Sequence, residues 1–220
     1  VPGTEGAVER IRNALQFQAG KRTVETHGSR SGDLDEGSLH KLSYDCEHIW
    51  SQKTTSKLPD VAVGILVDQS GSMGGLKIDQ ARELCITLAE AAQKIAGVRL
   101  YVYGHTANMD RDDVTIYEHY TPGMGRDLSK LGNIEAHCNN YDGYAIKDVA
   151  RRLSEDTAER KYLFVIADGF PAGAGYGGET AQKHVTSVCK FTRDRLKIGT
   201  YAFAVGVNGH HQTAFKTTVW

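Results

Sequence analysis

Residues 61–67 form an unbroken apolar run, Val-Ala-Val-Gly-Ile-Leu-Val. It ends in Asp68 and breaks into the polar loop Gln69-Ser70-Gly71-Ser72-Met73. A short apolar run bounded in this way predicts a strand buried on both faces, as in the middle of a parallel sheet. The pattern recurs in Tyr162-Leu163-Phe164-Val165-Ile166-Ala167, which ends in Asp168-Gly169. Between these runs, Ile78, Ala81, Leu84, Cys85, Leu88, Ala91, Ala92 and Ile95 return every three or four residues. That spacing predicts a helix with these side chains facing inward and Gly97 as its stop. Residues 98–104 and 114–120 read as two strands joined by the turn-like stretch 108–113, a hairpin whose second strand forms an antiparallel edge. Residues 127–135 are weakly helical. Ile146, Val149, Ala150 and Leu153 mark a further helix, Val185, Val188 and Cys189 another, and residues 198–207 the last strand. Strands alternating with helices predict an α/β fold, a doubly wound, Rossmann-like and mostly parallel sheet.

Ahead of this pattern, Val8, Ile11, Ala14 and Leu15 share one helical face within residues 7–18, and residues 21–30 read as a polar loop. Leu34, Leu39, Leu42, Ile49 and Trp50 suggest a second helical region, bent near Gly37. The expected division is an N-terminal helical extension over 1–57 and an α/β domain over 58–220, with Pro59 marking its start.

Composition narrows the partners. A chain of 220 residues with a net charge of −1 gives no global reason to expect nucleic acid or an anionic membrane. No run reaches membrane-spanning length and no charged-then-apolar leader opens the chain, although the missing initiator Met points to a fragment or a processed product. Cys46, Cys85, Cys138 and Cys189 form no closely spaced pair, which argues against structural zinc and favours reduced thiols in a cytoplasmic protein.

The chemistry sits at the strand ends. Asp68 and Asp168, Ser70 and Ser72, and the polar loop His137-Cys138-Asn139-Asn140-Tyr141-Asp142-Gly143 offer hydroxyl and carboxylate oxygens. The carboxyl edge of an open α/β sheet is where ligands bind. Oxygen donors favour a hard cation, Mg²⁺ with Mn²⁺ or Ca²⁺ as substitutes, and carboxylates gathered without one repel each other. The same aspartates could instead cap the helices that follow them. No G-x-S-x-G elbow surrounds Ser70, and Gly74-Gly75-Leu76-Lys77 lacks phosphate-loop spacing. A metal-dependent phosphatase is the enzyme alternative, with His105 and His137 as its candidate general bases, though both suit ordinary local hydrogen bonds. A structural protein with a vestigial metal site is a third alternative.

Asp68-Gln69-Ser70-Gly71-Ser72 resembles the DxSGS signature of the von Willebrand factor A domain, the first loop of its metal-ion-dependent adhesion site, and Asp168-Gly169 falls where that family keeps its third-loop aspartate. More narrowly, four stretches resemble the C-terminal A domain of CobT-type proteins, the cobaltochelatase subunit and its phage and bacterial relatives. They are Ser31-Gly32-Asp33-Leu34-Asp35, Val67-Asp68-Gln69-Ser70-Gly71-Ser72-Met73, Asn140-Tyr141-Asp142-Gly143-Tyr144-Ala145 and Val165-Ile166-Ala167-Asp168-Gly169-Phe170-Pro171. The resemblance implies that Ser70 and Ser72 coordinate Mg²⁺ through their hydroxyls and that Asp68 and Asp168 hold bound waters or coordinate directly. The family's second-loop threonine has no counterpart. Asn140 stands at its place and Asp142 is the CobT-like alternative, favoured because a carboxylate is the better hard-cation ligand. The resemblance also implies a module that is not catalytic by itself. Its open metal position takes a partner protein's carboxylate, and its neighbour is an AAA+ ATPase of the MoxR or chelatase type.

Overall fold

A computed structural model describes residues 22–39, 49–56, 60–108, 113–168, 171, 173 and 175–205. Residues 22–56 do not bear out the helical extension where they are described. Strands β1 (Arg22–Ser29), β2 (Asp33–Leu34) and β3 (Trp50–Ser56) form a small antiparallel sheet in the order β1-β3-β2. The expected loop over 21–30 is therefore mostly strand, and the expected second helix begins and ends in strands. β-branched residues explain the difference: Thr23 and Val24 on β1 pair in register with Thr55 and Thr54 on β3, with Thr26 further along β1, and such residue types favour a pleated backbone over a helix. Gly32 has φ +136°, and a Cβ there would collide with the Ser51 carbonyl oxygen. The expected helix over 7–18, and Leu42, lie outside the described residues.

The second sheet has five strands, β4 (Val61–Asp68), β5 (Val98–Ala107), β6 (Val114–Tyr120), β7 (Arg160–Ala167) and β8 (Ile198–Ala204). Their order is β6-β5-β4-β7-β8, parallel except for the β5–β6 hairpin at one edge. This is the predicted doubly wound sheet with one antiparallel edge strand. β4 lies at its centre. Successive side chains on β4 point to opposite faces, and the helices divide accordingly. Helix α1 (Leu76–Ala92) packs Ile78, Ala81, Cys85 and Ala89 against Ile65 and Val67 on one face. On the other face α2 (Asp142–Ser154) and α3 (Gly178–Arg195) bring Ile146, Val149, Leu153, Val185 and Val188 to Ala62, Leu66, Leu163 and Val165. Residues 129–133 form a 3-10 turn where weak helix was expected.

Leu84, expected inward, is exposed, and with Leu88, Val63, Phe164 and Phe203 it lines an open apolar groove beside α1. Helical spacing identifies residues that share a face, but the reach of the neighbouring layer decides which of them are covered. α1 ends at Ala92, earlier than Ile95.

One polar network ties β5 to the segment that follows α2. Arg99 on β5 grips Asp156, just after α2, through Nη2 at 2.7 Å and Nε at 3.0 Å, and the Tyr101 hydroxyl and the Ala158 N–H donate to the same carboxylate. Burial pushes the Asp156 pKa up, but the hydrogen bonds from Tyr101 and Arg99 outweigh it and hold it below the ordinary value. A depressed carboxylate adds stability above the unfolded pKa of about 4 and loses it as pH falls through the folded value. Asp156→Asn should accordingly cost about 1.5 kcal/mol at neutral pH. In urea titrations the gap to wild type should close as the buffer is taken below about pH 4.

Candidate metal centre

β4 delivers Asp68 to the carboxyl edge of the sheet, and the loop after it is built around that carboxylate. Asp68 Oδ1 accepts the Ser70 N–H at 2.8 Å, while Oδ2 accepts the Asn140 side-chain amide at 2.9 Å. Ser70 turns the chain into a 3-10 turn, Gly71–Met73, whose buried Met73 anchors it in the core. This turn sets the Ser70 and Ser72 hydroxyls 2.9 Å apart. The Gly71 N–H donates to the Cys138 carbonyl at 2.8 Å, which joins the first loop to the second.

Gln69 reinforces the joint. Its side chain is buried, donates to the Glu135 carbonyl at 2.7 Å and lies 3.1 Å from the His119 ring. It crosses directly over Gly104, where any Cβ would collide with it. The second loop is held to β5 by a backbone bridge between Ala107 and Asn139 and by the Thr106 hydroxyl, which donates to the His137 carbonyl at 2.7 Å.

Asp142 opens α2 with its side chain fully enclosed. The Gly143 N–H at this helix start donates to the Tyr176 hydroxyl at 3.1 Å, and burial pushes that hydroxyl's pKa up to about 12. His105 occupies the β5 position paired in register with Asp68 and is also fully buried. Its Nε2 lies 3.4 Å from Asp142 Oδ1. Among the described residues, neither His105 ring nitrogen and neither Asp142 oxygen has a hydrogen-bond partner. Ligand atoms of Asp68, His105 and Asp142 all lie within 4.8 Å of one another. Burial drives the Asp142 pKa well above the ordinary carboxylate value, reinforced by the Asp68 and Asp168 charges. Burial also lowers that of His105, against the pull of Asp68.

Asp168 follows β7, and its Oδ2 accepts from Lys77 Nζ at 3.1 Å. The same ammonium donates to the Ser72 carbonyl at 3.0 Å, so Lys77 bridges the first and third loops.

The sequence-derived residues thus divide. Ser70, Ser72, Asn140 and Asp68 are joined by direct contacts. Asp142 joins them through its cluster with Asp68 and His105, and Asp168 is reached through Lys77. Two contributors carried little signal. The His105 ring, expected to make ordinary local hydrogen bonds, makes none among the described residues. Strand parity was its available clue, because Tyr101, Tyr103 and His105 alternate onto the Asp68 side of the sheet. Lys77 pairs with a residue too distant in sequence for any spacing rule to find. His137 is exposed, with its Nε2 3.9 Å from a Glu135 oxygen. Gly169 lies outside the described residues.

Two enclosed ionisable groups with four unpartnered polar atoms are costly, about 1–3 kcal/mol for each unsatisfied group. Carboxylate and hydroxyl oxygens are the donors a hard divalent cation takes, so the residues gathered here fit one.

The von Willebrand factor type A domain model matches residues 62–218, and the chain belongs to that family. Among solved structures, the pilus adhesin SpaC from Lactobacillus rhamnosus GG is 14% identical with a TM-score of 0.54, covering 72% of this chain and 26% of that one. The PilB minor pilin from Streptococcus sanguinis is 12% identical with a TM-score of 0.51, covering 71% of this chain and 59% of that one. The three N-terminal domains of the type V pili tip protein Mfa5 from Porphyromonas gingivalis are 18% identical with a TM-score of 0.42, covering 55% of this chain and 22% of that one. At these identities the likeness to SpaC and PilB concerns the fold. No curated protein matches the chain. Among the described residues no helix is long and apolar enough to cross a membrane.

Proposed function

We propose that this chain is a metal-ion-dependent protein-interaction module. Asp68, Ser70, Ser72, Asp142 and Asp168 hold a divalent cation, Mg²⁺ with Mn²⁺ or Ca²⁺ as substitutes. The cation's role when bound is to leave one coordination position for a partner protein's carboxylate. The observation that carries this reading is the enclosed Asp142 carboxylate, which accepts no hydrogen bond among the described residues and shares a cluster with Asp68, whose loop carries the paired Ser70 and Ser72 hydroxyls. Asn140 donates to Asp68, which supports Asp142 as the second-loop ligand and Asn140 as the residue that orients Asp68. The phosphatase alternative loses one of its two candidate bases, because a fully buried His105 has no access to a substrate.

The four CobT-like stretches carry a narrower proposal. The module acts in the cytoplasm as a non-catalytic adaptor beside an AAA+ ATPase of the MoxR or chelatase type. Capture of the tagged chain from its native host in Mg²⁺ buffer tests this. An AAA+ ATPase retained by wild type, but lost with chelator and with Asp68→Ala, is the expected result. Retention that ignores the metal would place the interaction on another surface.

Lys77 supplies a further expectation. Its ammonium sits 3.1 Å from Asp168 and is only one-third exposed, so it opposes a cation bound nearby. Lys77→Met should raise Mg²⁺ affinity severalfold in calorimetric titration. An unchanged affinity would show that the ammonium swings clear when the metal binds.

A further inference from the structure

We propose that the His105 imidazole is a direct ligand of the cation shared by Asp68 and Asp142, so that this centre prefers a borderline ion such as Mn²⁺ or Co²⁺ to Mg²⁺. The proposal rests on the metal-dependent reading above and adds a nitrogen donor to its oxygen set.

Three observations carry it. Asp68 and His105 are register partners on adjacent parallel strands, so both side chains leave the same face of the sheet at its carboxyl edge. His105 is fully enclosed, yet neither ring nitrogen has a hydrogen-bond partner, and Nε2 faces Asp142 Oδ1 at 3.4 Å. Buried imidazoles normally have such partners, because an unmade hydrogen bond there costs about 1–3 kcal/mol. Finally, the donor atoms of Asp68, His105 and Asp142 lie within 4.8 Å of one another. Ligands bound at about 2.1 Å around one ion stand roughly 3 to 4.2 Å apart, so a small inward adjustment brings all three onto one cation.

The selectivity follows from the donor. Mg²⁺ favours oxygen and keeps its waters, whereas imidazole strengthens binding in the order from Mn²⁺ towards Cu²⁺. A site for borderline ions gains a ligand that a wet surface cannot displace.

Calorimetric titration of the chelator-stripped chain with Mg²⁺ and Mn²⁺, together with pulsed electron paramagnetic resonance of the Mn²⁺-loaded protein, tests the proposal. Mn²⁺ should bind about tenfold or more tighter than Mg²⁺, with nitrogen coupling from a directly bound imidazole. In His105→Phe, which keeps the aromatic volume, the coupling should vanish and Mn²⁺ should weaken more than Mg²⁺. Should that variant fail to fold, His105→Gln and the wild-type coupling decide. Equal affinities with no nitrogen coupling would remove His105 from the ligand set while leaving the oxygen site standing. Failure of either ion to bind would overturn the metal-dependent reading itself, and the His105 assignment with it.

Discussion

Saturating divalent metal should raise the melting temperature of the wild-type chain by about 5 to 10 °C and leave Asp68→Ala unmoved. A ligand that binds only the native state stabilises it by mass action, about 2.7 kcal/mol when present at a hundred times its dissociation constant. In a domain of this size each kcal/mol shifts the midpoint by about 2–4 °C. Asp68 is the common point of the centre: it anchors the Ser70 backbone, receives Asn140, and shares the enclosed cluster with His105 and Asp142. Its removal should therefore lower the metal-free midpoint as well. Asp142→Asn separates the two effects. Its carboxylate has no hydrogen-bond partner to lose, so the metal-free midpoint should stay close to wild type while the metal-induced rise disappears. Differential scanning fluorimetry with and without chelator reads both quantities. A full rise in Asp142→Asn would remove Asp142 from the ligand set.

Leu66→Ala should cost about 3 kcal/mol and lower the midpoint by about 6 to 12 °C. Leu66 is fully buried on the central strand, in the cluster with Ile146, Val149, Leu153 and Leu163. Truncation leaves a cavity between two layers whose spacing the neighbouring strands hold, so little collapse can fill it. The loss lies beneath Asp68, two residues along the same face, so metal affinity should fall too. Leu76→Ala is the control. With 78% of Leu76 exposed, its removal should stay within about 0.5 kcal/mol of wild type. Urea titration gives both values, and a loss at Leu66 no larger than at Leu76 would contradict the packing described for the sheet.

The elements that carry the centre were legible because their signals are local. Residues 61–68 and 162–168 announce buried strands through contiguous apolar runs, each closed by an aspartate at the sheet's carboxyl edge. The short turn-like stretch before Val114 announces the hairpin. The small N-terminal sheet was illegible for the converse reason. Arg22–Ser29 and Trp50–Ser56 carry polar residues on both faces, so no apolar alternation marks them, and their β-branched threonines are a weaker sign. Leu84 shows a different limit, because periodicity gives a shared face without giving its cover. His105 and Lys77 depend on tertiary neighbours. The first needs the β4–β5 register to reach Asp68, and the second crosses from α1 to the end of β7 to meet Asp168.

The location of the ion can be seen outright. Anomalous diffraction from crystals of this chain grown with Mn²⁺ should show one strong peak bounded by Asp68, Asp142 and the Ser70–Ser72 loop. A centre empty at saturating Mn²⁺, or peaks only on exposed surface carboxylates, would contradict a metal-dependent module.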